Sequence, residues 1–378
     1  MNTPSYFKSW SAEWEWVARA MLLFILLSGL TQFTLFGLVN NYMLSYFDAQ
    51  PEDVSFSTNI SYAAIIGGLP MQARFLQYFE IRNYLLTVIM LGIGLSILTF
   101  HTTDIHVFMA CRFFNGFIIN GTVLSSLRLI MSRLKPQYAP VGFSVFYGAL
   151  LGSGFSSGSL VYFVTDNMDW RNVYLYLLMI QLTSLVLVLL LVRAKTGMRP
   201  YPLYQLDWSS LILLLTTLVA WAYTLIYGGK YYWLSDWRIR VSLTMAICSL
   251  VLMIYRQTIM KRPYVHPVVL RFRKVIFGVL LLAVYFGIKD SINLVYQYVV
   301  QVLHWETKDL ILLSACNIIG LVTAMFAAAK MILSRKFSTT VFLIIGFSLL
   351  LAFNLWAYYT FSTDLSFGDL AVPVVLQG

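Results

Sequence analysis

Residues 172–193 read NVYLYLLMIQLTSLVLVLLLVR. The closing Arg193 is the one charged residue in the run, and about 20 apolar residues are what a helix needs to cross the hydrocarbon core of a bilayer. Asp169-Trp170-Arg171 stands just before it, and Arg193, Lys195 and Arg199 follow it. Acid at one end and clustered base at the other give the segment a direction, because Lys and Arg concentrate on the cytoplasmic side of membrane helices.

Ten further stretches of this kind occur, at 18–46, 57–76, 84–101, 105–131, 138–165, 207–228, 239–257, 275–301, 309–331 and 338–361. Asp369–Gly378 (DLAVPVVLQG) reads as the beginning of a twelfth. The composition agrees. Of 378 residues, 59% are hydrophobic and 11% charged, against roughly 45–50% and about 25% in a soluble domain. The expected fold is therefore an all-α membrane protein with about eleven transmembrane helices and the start of another. The apolar run after Met1–Trp16 is too long for a signal-peptide core and has no small-residue cleavage site, so it reads as a retained helix.

With the N-terminus inside, nineteen of the Lys and Arg residues fall in cytoplasmic segments, five fall outside (Arg171, Lys230, Arg238, Arg240, Lys308), and Arg112 and Lys289 lie within helices. The loop 229–238 runs against this bias. Asp48, Glu52, Asp53, Asp104, Asp166, Asp169, Asp236, Glu306, Asp309, Asp364 and Asp369 all map outside. The net charge of +10 thus belongs to a face near anionic lipid headgroups, and nucleic acid is excluded as a partner. The expected location is the inner (cytoplasmic) membrane, multi-pass, with a cytoplasmic N-terminus. Cys111, Cys248 and Cys316 are scattered through apolar runs with no metal-ligand spacing, and no cofactor is expected. His101, Asp104 and His106 form the one His/Asp cluster. It lacks a third histidine and an HExxH pattern, so an enzyme is not expected.

A weak internal repeat is visible. Leu38-Val39-Asn40-Asn41-Tyr42 is echoed by Leu294-Val295-Tyr296-Gln297-Tyr298, and Phe114-Asn115-Gly116 by Leu376-Gln377-Gly378. This suggests three regions: an N-terminal six-helix bundle over 1–199, an inserted helix pair over 200–258, and an incomplete C-terminal bundle over 259–378.

Four stretches resemble the major facilitator superfamily, and best its fourteen-helix drug:proton antiporter branch. Arg112-Phe-Phe-Asn-Gly116 resembles the family's R-x-x-Q-G motif. Gly148, Gly152, Gly154 and Gly158, in GALLGSGFSSGS, resemble its glycine-rich antiporter motif. Asp169-Trp170-Arg171 resembles its W-R turn. HPVVLRFRKVIFGVLLL (266–282) and YQYVVQVLHWE (296–306) resemble its entry into the second half. The loop Arg74–Arg82 departs from the family signature in lacking an Asp-Arg pair. The resemblance implies a secondary active transporter whose partners are a small organic solute, protons and the lipid bilayer, with drug or multidrug export as the branch's activity. A fourteen-helix relative would continue for three more crossings, so truncation at the C-terminus is expected. The alternative is a transport-inactive or truncated membrane scaffold.

Charge within the hydrocarbon is costly, roughly 2.5–3.5 kcal/mol at a helix centre, and is a functional signal by default. Arg112, Lys289 and Asp290 carry it. Asp290 heads a stripe with Asn293, Gln297 and Gln301 on one helical face. The resemblance implies that Arg112 and Asp290 meet across a central cavity. Asp290 would be the coupling carboxylate, and Arg112 its counter-ion or a ligand for an anionic substrate. The plainer alternative is a fixed ion pair, with Lys289 snorkelling to water. Asn40, Asn41, Asn115, Asn293, Tyr296 and Gln297 are candidate cavity residues, with interhelical hydrogen bonding as the alternative. The four glycines are expected to let helices pack closely. Arg74 and Arg82 are expected to anchor or gate the cytoplasmic end.

Overall fold

The computed structural model describes residues 6–193, 203, 206–260, 262–289, 292–334, 338–362 and 364–378. In chain order the helices are α1 (Trp10–Glu13), α2 (Glu15–Leu38), α3 (Asn40–Tyr46), α4 (Pro51–Tyr78), α5 (Ile81–His101), α6 (Ile105–Arg133), α7 (Ala139–Asn167), α8 (Asn172–Leu191), α9 (Trp208–Tyr227), α10 (Trp237–Ile259), α11 (Arg273–Lys289), α12 (Ile292–Gln301), α13 (Thr307–Ser334), α14 (Thr339–Thr360) and α15 (Phe367–Gln377). Helices overlie every one of the eleven expected stretches.

Eight of the described helices are both long enough and apolar enough to cross a membrane: those at Glu15–Leu35, Ile81–His101, Ile105–Arg133, Asn172–Leu191, Trp208–Tyr227, Trp237–Ile259, Lys308–Met331 and Thr340–Thr360. The difference from eleven lies in three of the expected stretches. α4 and α7 have the length but are diluted by hydroxyl residues and glycine. The stretch expected at 275–301 is described as two helices on either side of residues 290–291. The first expected helix, 18–46, is divided at Val39, whose backbone (φ −101°, ψ 6°) leaves the α-helical region. α4 starts earlier than expected because Pro51 opens its first turn, and Gln50 and Asp53 cap it reciprocally.

The chain divides into two compact units. One holds Met1–Ser132 and Phe163–Pro267, the other Arg133–Tyr162 and Val268–Gly378. In the first, Tyr6, Ala18, Leu22, Ile25, Leu76, Ile81, Leu85, Ile89, Leu129, Val188, Leu191 and Val192 form one core cluster. The last carbonyls of α8 would be orphaned by the end of the helix. The N-terminal segment takes them up: Lys8 N–H donates to Leu191 O (3.1 Å), Lys8 Nζ to Leu189 O (2.8 Å), and Trp10 Nε1 to Leu190 O (3.2 Å). Before α8, Arg171 pairs with Asp169 (3.1 Å) and donates to Tyr46 Oη (3.1 Å). The hydrogen bonds from Arg171 hold the Asp169 carboxyl below its usual range.

α9 and α10 belong to this unit. Thr217 bonds Ser249 (2.8 Å) and Thr224 bonds Ser242 (3.1 Å), a hydroxyl seam between two otherwise apolar helices. Tyr227 Oη donates to Asp53 at the start of α4 (2.6 Å), and Tyr264 Oη to Gly67 O within α4 (2.6 Å). Asp207 caps α9 through Ser210 N–H (3.2 Å) and pairs with Arg256 of α10 (2.9 Å). Gln257 extends the group, donating to Ser210 Oγ (2.8 Å) and accepting from Val265 N–H (3.0 Å). Burial pulls the Asp207 carboxyl up. The hydrogen bonds from Arg256 and Ser210 outweigh it and leave the group below its usual range.

In the second unit, Ile292, Val295, Val299, Leu313, Phe353, Leu365, Leu370 and Val374 form the core. Asn317 of α13 donates to Val374 O (3.1 Å) and to Gln377 Oε1 (2.6 Å), binding α13 to α15. The capping box Ser366–Asp369 starts α15 where a twelfth apolar stretch was expected.

Two outcomes are expected. Asp207→Ala leaves Arg256 and Ser210 without their acceptor, at a cost of about 1–3 kcal/mol, read as a lower thermal midpoint in detergent. Because the folded-state pKa of Asp207 is depressed, this contribution persists through neutral pH. It fades as pH falls below about 4, near the unfolded value, so wild type and variant should converge there. The second concerns Gly116, where an added Cβ would sit 2.5 Å from Ser61 O and 2.7 Å from Ala64 Cβ. Gly116→Ala should cost about 1–3 kcal/mol by forcing α6 from α4. Gly94→Ala, with nothing within 4 Å, should be tolerated in the same unfolding assay.

Candidate functional site

α6 carries Arg112, Asn115, Gly116 and Asn120 at spacings that keep them on one face. That face meets α4. Ser61 Oγ donates to the Arg112 carbonyl (2.7 Å), Asn120 Nδ2 to Ile65 O (3.0 Å), and Gly116 allows the two backbones to approach between these bonds. The contact carries Arg112 into the interior, where it is 2% exposed. Its Nη2 donates to Thr58 Oγ1 (3.1 Å), and its guanidinium lies 5.8 Å from the centre of the Phe108 ring, within cation–π range.

A belt of buried amides and hydroxyls surrounds it. Gln32 of α2 donates to Asn115 Oδ1. Ser96 of α5 donates to Gln181 Oε1 of α8 (3.1 Å). Tyr174 of α8 is 2% exposed and shares with Arg112, Asn115, Ser96, Thr99, Cys111 and Leu95 the wall of a hollow of about 10 Å³, room for roughly one water. On another side of Arg112 is a cavity of about 190 Å³, lined by Phe33, Thr34, Thr58, Ser61, Tyr62, Arg112 and Ile119. Five helices of the first unit thus supply polar side chains to one interior region. Chemically it offers a guanidinium, several hydroxyls and an aromatic wall, in which Phe33 and Tyr62 lie 5.4 Å apart.

Of the expected site residues, Arg112 and Asn115 are brought together here. Asn40 and Asn41 lie in α3, and Asn293 and Gln297 in α12; their side chains, like all of Asp290, lie outside the described residues. Tyr296 is partly buried against the core of the second unit. Lys289 ends α11, and its carbonyl accepts from Gln377 Nε2 (3.3 Å). Arg74 lies near the end of α4 and Arg82 at the start of α5, both half-buried. Of the four glycines in α7, Gly148 faces Met325, whose Sδ would lie 2.5 Å from an added Cβ; at Gly152, Gly154 and Gly158 nothing described lies within 4 Å. No group of three His, Cys, Asp or Glu fit to hold a metal occurs among the described residues.

Gln32, Thr58, Ser61, Ser96, Tyr174 and Gln181 carry no motif. The signal that could have found them is the presence of single amides, Gln32 and Gln181, in helices otherwise apolar over some twenty residues.

Among the solved structures that share the fold are two transporters. The proton:xylose symporter XylE, determined with 6-bromo-6-deoxy-D-glucose, aligns with 14% identity and a TM-score of 0.56, covering 95% of this chain and 78% of that one. The human organic anion transporter MFSD10 (TETRAN) aligns with 14% identity and a TM-score of 0.52, covering 95% and 83%. At such identity the likeness is one of fold. No curated protein matches the chain in sequence. The family model described as Major Facilitator Superfamily matches residues 21–377, nearly the whole chain, and the chain therefore belongs to the major facilitator superfamily.

Proposed function

We propose that the protein is a secondary active transporter for a small organic solute, with the region around Arg112 as its solute site. The observation that carries this reading is a buried cation beside a cavity, inside a helix apolar enough to cross a bilayer. Such a charge is costly to bury, and in membrane helices it commonly marks a substrate or ion pathway. Five helices contribute polar groups around it, more than packing one helix pair requires. The family supports the reading, since the fold relatives named above are transporters.

The finer proposals rest on sequence. Asp290 is the proton-coupling carboxylate, because an acid in an apolar stretch titrates according to its burial and its neighbouring charges, both of which change when a cavity opens or closes. Asn293 and Gln297 continue its face, and Asn40, Asn41 and Tyr296 complete the candidate cavity set. Arg74 and Arg82 serve the cytoplasmic end, and Gly148, Gly152, Gly154 and Gly158 allow α7 to shift against its neighbours. Eleven crossings, a cytoplasmic N-terminus, three regions divided near 199 and 258, a cytoplasmic-membrane location and export of the solute belong to the same proposal.

The test is proton flux in proteoliposomes holding a trapped pH-sensitive dye, challenged with small carboxylic acids, sugars and amines. Wild-type vesicles should show solute-dependent proton movement, and Asp290→Asn should lose it. An unchanged response in the variant removes Asp290 from coupling. No response to any solute in wild type favours the transport-inactive scaffold.

A further inference from the structure

We propose that the tip of the α9–α10 hairpin docks in the phospholipid headgroup layer of one leaflet and holds the start of α4 at that depth. The proposal needs the chain to span a membrane and is independent of whether it transports.

Depth comes first. α9 has 20 residues, about 30 Å at 1.5 Å per residue, which matches the thickness of the hydrocarbon core. The polar Asp207–Arg256 pair marks one end of the hairpin. The turn at the other end, residues 228–236 (GGKYYWLSD), therefore reaches headgroup depth.

The turn is built to present large side chains there. Tyr232 (φ 52°, ψ 38°) and Trp233 (φ 54°) are both left-handed, an uncommon backbone for bulky residues. Trp233 N–H donates to Gly228 O (2.7 Å) and holds this shape. Gly228 leaves room for the Trp233 ring, which an added Cβ would meet at 2.7 Å. Tyr232, Trp233, Leu234 and Trp237 are each more than half exposed. Water disfavours such a group, whereas Tyr and Trp are enriched at headgroup depth, where their apolar body and polar tip are both satisfied. Trp237, Val241 and Met245 recur at every fourth position on one face of α10, and all three are exposed. The patch thus continues into an apolar helix face, and the lipid that covers the helix also covers the tip.

The charges fit the same surroundings. Tyr223, Tyr227 and Tyr231 stack in a column, with successive ring centres 4.6 and 6.0 Å apart. Lys230 Nζ lies 5.5 Å and the Arg238 guanidinium 5.0 Å from the centre of the Tyr231 ring, within cation–π range. This loop runs against the charge bias of the other connections, and its cations rest on rings at the interface. Across the turn and the first turns of α4 and α10, Lys230, Arg238 and Arg240 stand with Glu52, Asp53 and Asp236. Charges of both signs suit a zwitterionic headgroup layer and ask for no anionic lipid.

Two bonds tie the hairpin to α4. Tyr227 Oη donates to Asp53 (2.6 Å) and Lys230 Nζ to Gln50 Oε1, the two residues that cap α4. α4 also carries Thr58 and Ser61 against Arg112. The anchor therefore sets the depth of a helix that holds the candidate site.

The experiment reads depth by fluorescence quenching in phosphatidylcholine vesicles. The chain carries Cys111→Ala, Cys248→Ala and Cys316→Ala, with a nitrobenzoxadiazole dye on Leu234→Cys or, separately, on Ser55→Cys in the first turns of α4. Quenchers are a nitroxide on the lipid headgroup, a nitroxide at the acyl-chain end, and iodide on both sides of the bilayer. At both positions the headgroup nitroxide should quench more than the chain-end nitroxide, and iodide should quench less than it does the free dye. Combining Tyr232→Ser, Trp233→Ser and Trp237→Ser should lose the headgroup quenching at position 234 and change it at position 55. Iodide access equal to that of the free dye, without nitroxide quenching, puts the tip in water and overturns the proposal. Protection from iodide without nitroxide quenching means that protein covers the tip, which also overturns it. Stronger quenching from the chain end overturns the headgroup depth, and docking only when phosphatidylglycerol is added overturns the zwitterionic occupant. Position 55 unmoved by the three substitutions overturns the hold on α4 and leaves the docking standing. The unaltered tip decides the docking even if the substituted one does not fold.

Discussion

The close crossing of α4 and α6 at Gly116 is the constraint on which the interior of the first unit depends. Ser61 reaches the carbonyl of Arg112 and Asn120 reaches the carbonyl of Ile65, and neither bond could form with a side chain of ordinary size between the helices. In an apolar solvent, helices gain little from burying more hydrocarbon and associate through close packing and interhelical hydrogen bonds. The crossing uses both. It also fixes the rotation of α6, which turns Arg112 inward and away from lipid. The cavity walls supplied by α4 and α6 follow from that rotation.

Polar satisfaction is the second theme. The ends of α8 and α9 illustrate two ways to close a helix. The carbonyls of α8 are met by a distant segment of chain, whereas the first turn of α9 is met by its own Asp207, which Arg256 then balances. The hydroxyl seam between α9 and α10 solves the related problem of joining two helices whose other faces are largely exposed and apolar. Val241, Met245, Val251, Leu252 and Ile254 are exposed on α10, a distribution that a lipid surround makes favourable.

Much of the helical layout was legible in the sequence, because hydrocarbon thickness imposes a length that composition reveals. The site was legible in part. Arg112 was visible as a charge in an apolar run, and Asn115 and Gly116 by their spacing from it. Gln32 and Gln181 were not, since a lone amide has the same composition whether it faces lipid, a neighbour or a cavity. Thr58 and Ser61 were hidden for a related reason: hydroxyl residues are common in membrane helices, and only their neighbours distinguish a cavity wall from a packed seam. The division of the first stretch at Val39 had no proline to mark it. The membership of α9 and α10 in the first unit depends on Tyr227 meeting Asp53 and Tyr264 meeting Gly67, contacts between residues far apart in the chain.

The N-terminal segment that closes α8 has a consequence for biosynthesis. Lys8 and Trp10 bond carbonyls some 180 residues downstream, so an earlier segment of the chain has its partners among much later ones. Until α8 has been inserted, those donors have no native acceptor, and until they arrive the end of α8 is open. The latch therefore ties the closing of the α8 end to the presence of both segments, which translation delivers far apart in time.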